Sequence, residues 1–333
     1  MRPNPFNKRA RLAWPLLALL GCGAPKADAG PPPETATSVT PVPVEVTETT
    51  GTPELDSPPT APKAHPIEPG AWTSFELSTA WSDAPVPVRL YRSEGNCLPT
   101  QCAVTVLLHG MGGRAEDWET YAQTEQIYEA LVLAGTAPAG YLVAPSGGDG
   151  YWTDWNDGVH LYGSLVHDAL IGWLRDQDLL PEIHNPDRLA LVGISMGGFG
   201  ALSITLRHPD VFGRVAGMSP TDMARAVAQQ PNRTIYTQVY GQPINAERVA
   251  QTNPLDRVRE GLPTGLSRIV VSWGDAEPSK FRDGGRDLRT ALHDQPIFEA
   301  WEIEGGRHGW KWWTPVLRDV MQKVWSEPAT HTE

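Results

Sequence analysis

Residues Gly193-Ile194-Ser195-Met196-Gly197-Gly198 form a G-x-S-x-G pattern, and its surroundings restrict the fold more than any other stretch of the chain. An apolar run, residues 189–192, precedes it, and the apolar residues Phe199, Ala201, Leu202 and Ile204 follow. The pattern therefore sits between a strand and a helix. A serine placed there is lifted clear of a sheet on a tight, strained turn, and a side chain at Gly193 or Gly197 collides with the neighbouring elements. The five letters alone occur by chance in many chains, so a glycine-rich turn with an incidental serine is the competing reading. The strand–turn–helix setting favours a nucleophile.

Strand and helix signals alternate from about Ala71 onward, which specifies one α/β domain on a mostly parallel sheet. Residues 72–79 and 86–91 read as an antiparallel pair at one edge. Residues 103–108, 141–145, 215–219, 267–273 and 298–302 read as the strands around the Ser195 turn. Residues 165–174 read as a helix with Ala169, Leu170, Trp173 and Leu174 on one face, and 315–324 as the closing helix. The polar stretch 221–262 reads as an insertion or lid over the site. A domain of about 260 residues buries one large core and calls for no second domain.

The chain ahead of this domain differs in kind. Arg2, Lys8, Arg9 and Arg11 make a basic start, and residues 12–20 are apolar but too short to span a bilayer as a mature helix. Leu19-Leu20-Gly21-Cys22 resembles the lipobox of bacterial lipoproteins, in which cleavage precedes the cysteine and the thiol takes a diacylglycerol. An ordinary secretory signal cut near Ala27 or Ala29 is the alternative. On the lipoprotein reading, residues 1–21 are the leader and Cys22 is the lipid site. Residues 22–69 are then a Pro/Thr-rich tether with too little apolar surface to fold, 70–327 the catalytic domain and 328–333 a tail. The expected location is extracytoplasmic and membrane-anchored, in the periplasm or at the cell surface. Acyl chains supply the anchoring, at about 0.8 kcal/mol per buried methylene.

Three cysteines occur, and with Cys22 set aside Cys97 and Cys102 remain. In an oxidising compartment they pair as a short disulfide, with two reduced thiols as the alternative. The spacing is not C-x-x-C, so the pair is a staple and not a redox motif. Loss of the four basic leader residues takes the formal charge from −12 to about −16. Such a surface repels phosphate backbones and anionic headgroups, which argues against nucleic-acid binding and leaves membrane association to the lipid.

A serine hydroxyl needs an adjacent general base, and on this topology the base comes last in sequence. His308, in Gly305-Gly306-Arg307-His308-Gly309, holds that place between the final strand and the closing helix. A hydrogen-bonded structural histidine is the plainer alternative. The imidazole in turn needs a carboxylate, expected after the 267–273 strand in Gly274-Asp275-Ala276-Glu277-Pro278. Glu277 is preferred on spacing, Asp275 is the more usual residue type, and Asp283 is a further candidate. An oxyanion hole needs two backbone N–H groups. Met196, directly after the serine, supplies one, and Met111, in His109-Gly110-Met111-Gly112-Gly113, supplies the other.

From about residue 105 to 317 the chain resembles the esterase D family of α/β-hydrolases. The family includes S-formylglutathione hydrolases, feruloyl and acetylxylan esterases, siderophore esterases and mycolyltransferases. The matching stretches are Leu107-Leu108-His109-Gly110-Met111-Gly112-Gly113, Glu116-Asp117-Trp118, the Ser195 turn through Ala201, His208-Pro209-Asp210-Val211-Phe212, and Gly306-Arg307-His308-Gly309-Trp310-Lys311-Trp312-Trp313. Glu277 stands where the family usually has aspartate, and the 221–262 segment matches nothing recognisable. The resemblance implies the α/β-hydrolase fold and a serine esterase that forms an acyl-enzyme on Ser195. The substrate implied is a carboxylic ester, small-molecule or glycan-borne, with a carbohydrate-linked acyl ester as one form of it, and no cofactor is implied. Acyl transfer to another alcohol and a non-catalytic binding lipoprotein are the alternatives.

Other features are weaker. Trp152 and Trp155 lie where they can stack on a sugar or aromatic acyl group, but among 13 tryptophans packing is the commoner role. Trp310 and Trp313 read as anchors of the last helix. His160 and His167 with Asp157 and Asp168 suggest a metal pair only loosely, and no metal site is assigned.

Overall fold

The computed structural model describes residues 67–79, 84–98, 101–181 and 184–328. The leader, Cys22, the tether as far as residue 66 and residues 329–333 lie outside the described residues.

Eight strands form one sheet: β1 (Trp72–Leu77), β2 (Val86–Arg92), β3 (Ala103–Leu108), β4 (Gly140–Pro145), β5 (Leu189–Ile194), β6 (Arg214–Met218), β7 (Arg268–Gly274) and β8 (Phe298–Ile303). Their order is β1-β2-β4-β3-β5-β6-β7-β8. β1 and β2 are antiparallel to their neighbours, and every pairing from β4 to β8 is parallel. The expected edge pair and strand sequence are therefore present. Parallel strands covered on both faces carry near-continuous apolar runs, and all six residues of β3, β4 and β5 are buried.

Successive strand residues feed opposite faces. Val104, Val106 and Leu108 enter one apolar layer, and Ala103 and Leu107 enter the other. Helices α1 (Thr124–Leu133) and α9 (Trp310–Trp325) cover the second face through Tyr128, Leu131, Trp313, Leu317 and Val320. Helices α2 (Leu170–Asp176), α3 (Met196–Arg207) and α8 (Ser279–Leu292) cover the first.

The 221–262 stretch folds as four short helices: α4 (Met223–Gln229), α5 (Thr234–Tyr240), α6 (Ala246–Thr252) and α7 (Pro254–Glu260). Side-chain caps start two of them, Asp222 accepting from the Arg225 N–H and Asn245 from the Arg248 N–H. The stretch is not polar throughout, because Met223, Tyr236, Val239 and Tyr240 join the main core.

Two boundaries differ from expectation. Residues 165–169 form a π-helical turn before α2 begins. The closing helix starts five residues earlier than expected and carries Pro315 inside it. Proline there costs one helical hydrogen bond, and Trp313 and Leu317 on either side of it are buried.

Cys97 and Cys102 are joined by a disulfide that closes a loop just before β3. Among the described residues no helix is long and apolar enough to cross a membrane.

Candidate active site

The turn after β5 is built as its glycines require. Ser195 has φ 55° and ψ −114°, a conformation L-residues rarely adopt, and its N–H donates to Met218 O on β6 (2.8 Å). A Cβ on Gly197 would stand 1.9 Å from Leu108 O, and one on Gly193 2.1 Å from Gly197 O. Only glycine lets α3 pack this tightly against β3 and β5.

The loop after β8 brings His308 to the serine. His308 Nε2 lies 2.7 Å from Ser195 Oγ, across 113 residues of sequence. The imidazole stacks on Phe281 of α8 (centroids 3.9 Å apart, planes 19°) and meets Trp313 of α9 edge-on at 4.8 Å. Two aromatic walls thus fix the plane of the ring, and Phe281 is a residue that sequence reasoning missed.

Glu277, buried in the turn after β7, presents Oε1 to His308 Nδ1 at 3.3 Å. The same oxygen accepts from Ser219 Oγ–H (2.6 Å), and Ser219 Oγ accepts in turn from Trp313 Nε1–H (2.9 Å). The second oxygen, Oε2, is buried with no hydrogen-bond partner among the described residues. Asp275 is half-buried, its N–H donates to Ile303 O (3.1 Å), and its carboxylate makes no contact with His308 among the described residues. Asp283 is held by Arg282 (2.7 Å). Of the three candidate acids, the structure brings Glu277 alone to the imidazole.

Met196 follows Ser195 directly, and Met111 lines the cavity into which Ser195 opens. Met196 opens α3, so its N–H has no acceptor within the helix. Among the described residues the Met111 N–H has no hydrogen-bond partner either. A Cβ on Gly110 would lie 3.5 Å from Ser195 Cβ, which measures how closely this loop approaches the serine. The loop is pinned from behind: Gly112 N–H donates to Asp149 Oδ1 (2.5 Å) and Ala115 N–H to Ser146 Oγ (3.0 Å). His109 Nε2 accepts from the Gly147 N–H (3.0 Å), which places the ring proton on Nδ1, directed to Gly110 O (2.8 Å). Burial pushes its pKa down, as a neutral structural histidine requires.

Ser195 and His308 open into a cavity of about 640 Å³, with Met111, Arg114, Tyr121, Arg233, Phe281 and Trp310 among its walls. A second cavity of about 450 Å³ shares Met111 and Arg233 with it and is lined by Asp149, Trp155, Tyr162 and Gln238. Arg233, from the insertion, was not foreseen; its guanidinium lies over the Tyr236 ring and donates to Met111 Sδ (3.2 Å). Trp152 is fully buried, its Nε1–H donating to His109 O (3.1 Å), whereas Trp155 is half-buried beside the second cavity. Trp310 and Trp313 pack into the core and also line the Ser195 cavity. His160 Nδ1 pairs with Asp157 (2.6 Å), but His167 stacks on His208 instead of joining them.

A mostly parallel sheet of this order, with a strained serine after the fifth strand and a histidine after the last, defines an α/β-hydrolase. The chain matches the esterase family, described as "Putative esterase", over residues 98–323, and it belongs to that family. This domain is thus a carboxylic ester hydrolase. It is 24% identical over 225 residues to an acetyl esterase of Caldicellulosiruptor saccharolyticus, covering 65% of this chain and 80% of that protein. It is 27% identical over 242 residues to esterase MT1326 of Mycobacterium tuberculosis, covering 65% of this chain and only half of that protein's length. Among solved structures, a ferulic acid esterase superposes with a TM-score of 0.61 at 19% identity, over 76% of this chain and 97% of its own.

Proposed function

We propose that Ser195 is the nucleophile, His308 its general base and Glu277 the group that orients the imidazole. The 2.7 Å contact between Ser195 Oγ and His308 Nε2 carries this reading. Ser195 Oγ attacks the ester carbonyl carbon as its proton passes to Nε2, and the tetrahedral oxyanion is held by the Met111 and Met196 N–H groups. Collapse breaks the bond to the alkoxy oxygen, which takes the proton from His308 and leaves as alcohol. Water then attacks the acyl-enzyme, giving a proton to Nε2; collapse breaks the bond between the acyl carbon and Ser195 Oγ, which takes that proton back as the acid leaves.

The substrate proposed is an acyl ester borne on a carbohydrate. The acyl group faces the Ser195 cavity, and the adjoining cavity offers the aromatic rings of Trp155 and Tyr162 beside the polar Asp149 and Gln238. Rings flanked by hydrogen-bonding groups suit a sugar, whose faces are apolar and whose rim is polar. The names of the relatives, an acetyl esterase and a ferulic acid esterase, are compatible with either a small or an aromatic acyl group. Acyl transfer to an alcohol acceptor uses the same acyl-enzyme, and the acceptor would reach it through this second cavity.

We further propose that the protein is exported and anchored through a lipid on Cys22. The leader pattern supports this, and the Cys97–Cys102 disulfide suits an oxidising compartment. Mass spectrometry of the membrane-extracted protein should find a diacylglycerol adduct at Cys22, lost in Cys22→Ala.

A fluorophosphonate probe tests the chemistry. Labelling should occur on the wild type and vanish in Ser195→Ala with the fold retained. A folded wild type that stays unlabelled would sink the enzyme mechanism and leave a binding protein built on the hydrolase fold.

A further inference from the structure

The far end of α3 holds another polar cavity, about 320 Å³, lined by Thr153, Asp154, Arg207, Arg248, Thr252 and Arg257. Arg207 is the last residue of α3, about 18 Å along the helix from Ser195. Arg248 comes from α6 and Arg257 from α7, while Thr153 and Asp154 lie between β4 and α2. Three guanidinium groups from three helices thus converge on one hollow in a chain whose formal charge is −12.

Their hydrogen bonds leave donors over. Arg207 Nε–H donates to Ser203 O (3.1 Å), an Arg248 Nη2–H to the Asp154 carbonyl (2.7 Å), and an Arg257 Nη1–H to Glu260 Oε2 (2.5 Å). Arg207 Nη2, Arg248 Nε and Arg257 Nε are buried, and no protein group accepts from them. Among the described residues neither Arg207 nor Arg248 has an ion-pair partner. Asp154, the one carboxylate in the lining, is already committed. Its Oδ1 accepts from the Ser164 N–H (2.9 Å) and its Oδ2 from Ser164 Oγ–H (2.8 Å). Burial pulls the Arg207 pKa down, Asp154 opposes this, and Arg257 and Arg248 add to the fall. A buried cation left in this condition is costly unless an anion meets it.

We propose that this hollow binds a divalent tetrahedral oxyanion, phosphate or sulfate, either free or as the monoester group of a small solute. Four oxygens at tetrahedral angles can meet donors arriving from three helices, and Arg207 and Arg248, neither held in an ion pair as Arg257 is by Glu260, present two positive charges to a divalent anion. A planar monovalent carboxylate matches one guanidinium fork and leaves the others unmet. The bound anion would tie α6 and α7 of the insertion to the end of α3, so occupancy should register as stability. The site is independent of the chemistry assigned to Ser195.

Titration calorimetry and thermal unfolding of the full-length protein test it, with sodium phosphate, sulfate and glycerol 3-phosphate set against chloride and acetate at matched ionic strength. Saturable binding is expected for the divalent ions and not for acetate. Tm should rise by about 3 °C at tenfold the Kd. Arg207→Gln and Arg248→Gln should each weaken binding at least tenfold. Tighter binding of glycerol 3-phosphate than of phosphate would assign the site to a monoester, and the reverse order to the free ion. Absence of saturable heat overturns the proposal. So does a linear rise in Tm shared equally by the variants, which is ion exclusion from the surface. If circular dichroism shows that Arg207→Gln fails to fold, Arg248→Gln and Arg257→Gln carry the same measurement.

Discussion

Ser219 Oγ–H donates to Glu277 Oε1 at 2.6 Å, across 58 residues of sequence, and is itself fixed by the indole N–H of Trp313. Ser219 sits just past β6 with φ 50°, a strained backbone that directs its hydroxyl at the carboxylate. The result is a line of donors from Trp313 through Ser219 to the acid facing His308.

Ser219→Ala should therefore lower kcat about tenfold with KM nearly unchanged. A hydrogen bond to a charged group contributes roughly 1.5–3 kcal/mol, part of which water recovers. An unchanged kcat alongside a lowered Tm would make Ser219 a packing residue only.

The choice of acid is testable directly. Glu277→Gln should drop kcat by about 10³–10⁴, because the amide no longer stabilises the imidazolium. Asp275→Asn should stay within about twofold of wild type, since its carboxylate does not reach His308. Inverted results on an ester such as p-nitrophenyl acetate would reassign the acid to Asp275.

Trp155 separates acyl chemistry from sugar recognition. It stacks near His160 (4.4 Å) and Tyr162 (5.7 Å) beside the cavity that adjoins the Ser195 pocket. Trp155→Ala should raise KM for acetylated or feruloylated oligosaccharides about tenfold, from loss of roughly 1 kcal/mol or more of stacking. Hydrolysis of p-nitrophenyl acetate should be unaffected. Equal losses on both substrates would remove Trp155 from substrate recognition.

Acid should weaken the fold through the stacked pair His167 and His208, whose rings lie 3.7 Å apart. Burial, then His167, then Arg207 push the His208 pKa down to about 4. Above pH 6.5 both folded and unfolded chains hold this ring neutral. As pH falls from 6.5 toward 4 the unfolded chain takes up a proton that the folded chain refuses, so stability falls. Tm should drop by roughly 2–4 °C more between pH 7 and pH 5 in the wild type than in His208→Gln. Identical slopes would show that the pair does not titrate on unfolding.

Much of the site was legible because its parts are written locally. The Ser195 turn needs glycine at 193 and 197 within one strand–turn–helix, and the loop that carries His308 follows the last strand by a rule of chain order. Phe281, Ser219 and Arg233 carry no such signal. A phenylalanine in an amphipathic helix reads as core, a serine after a strand as a turn, and an arginine in a polar stretch as surface. Each acquires its position only when elements distant in sequence pack together.

The sequence by itself determined the succession of strands along the chain, the Ser195 turn and the place of His308 after the last strand, since each depends on periodicity, chain order or the steric demands of one short segment. Tertiary structure decided which carboxylate faces His308, because Asp275 and Glu277 lie two residues apart and only the turn after β7 selects between them. It also decided that Ser219 and Trp313 stand behind that carboxylate, and that three arginines from α3, α6 and α7 share one hollow. Charges and hydroxyls have no period to read, and their partners are set by where helices pack.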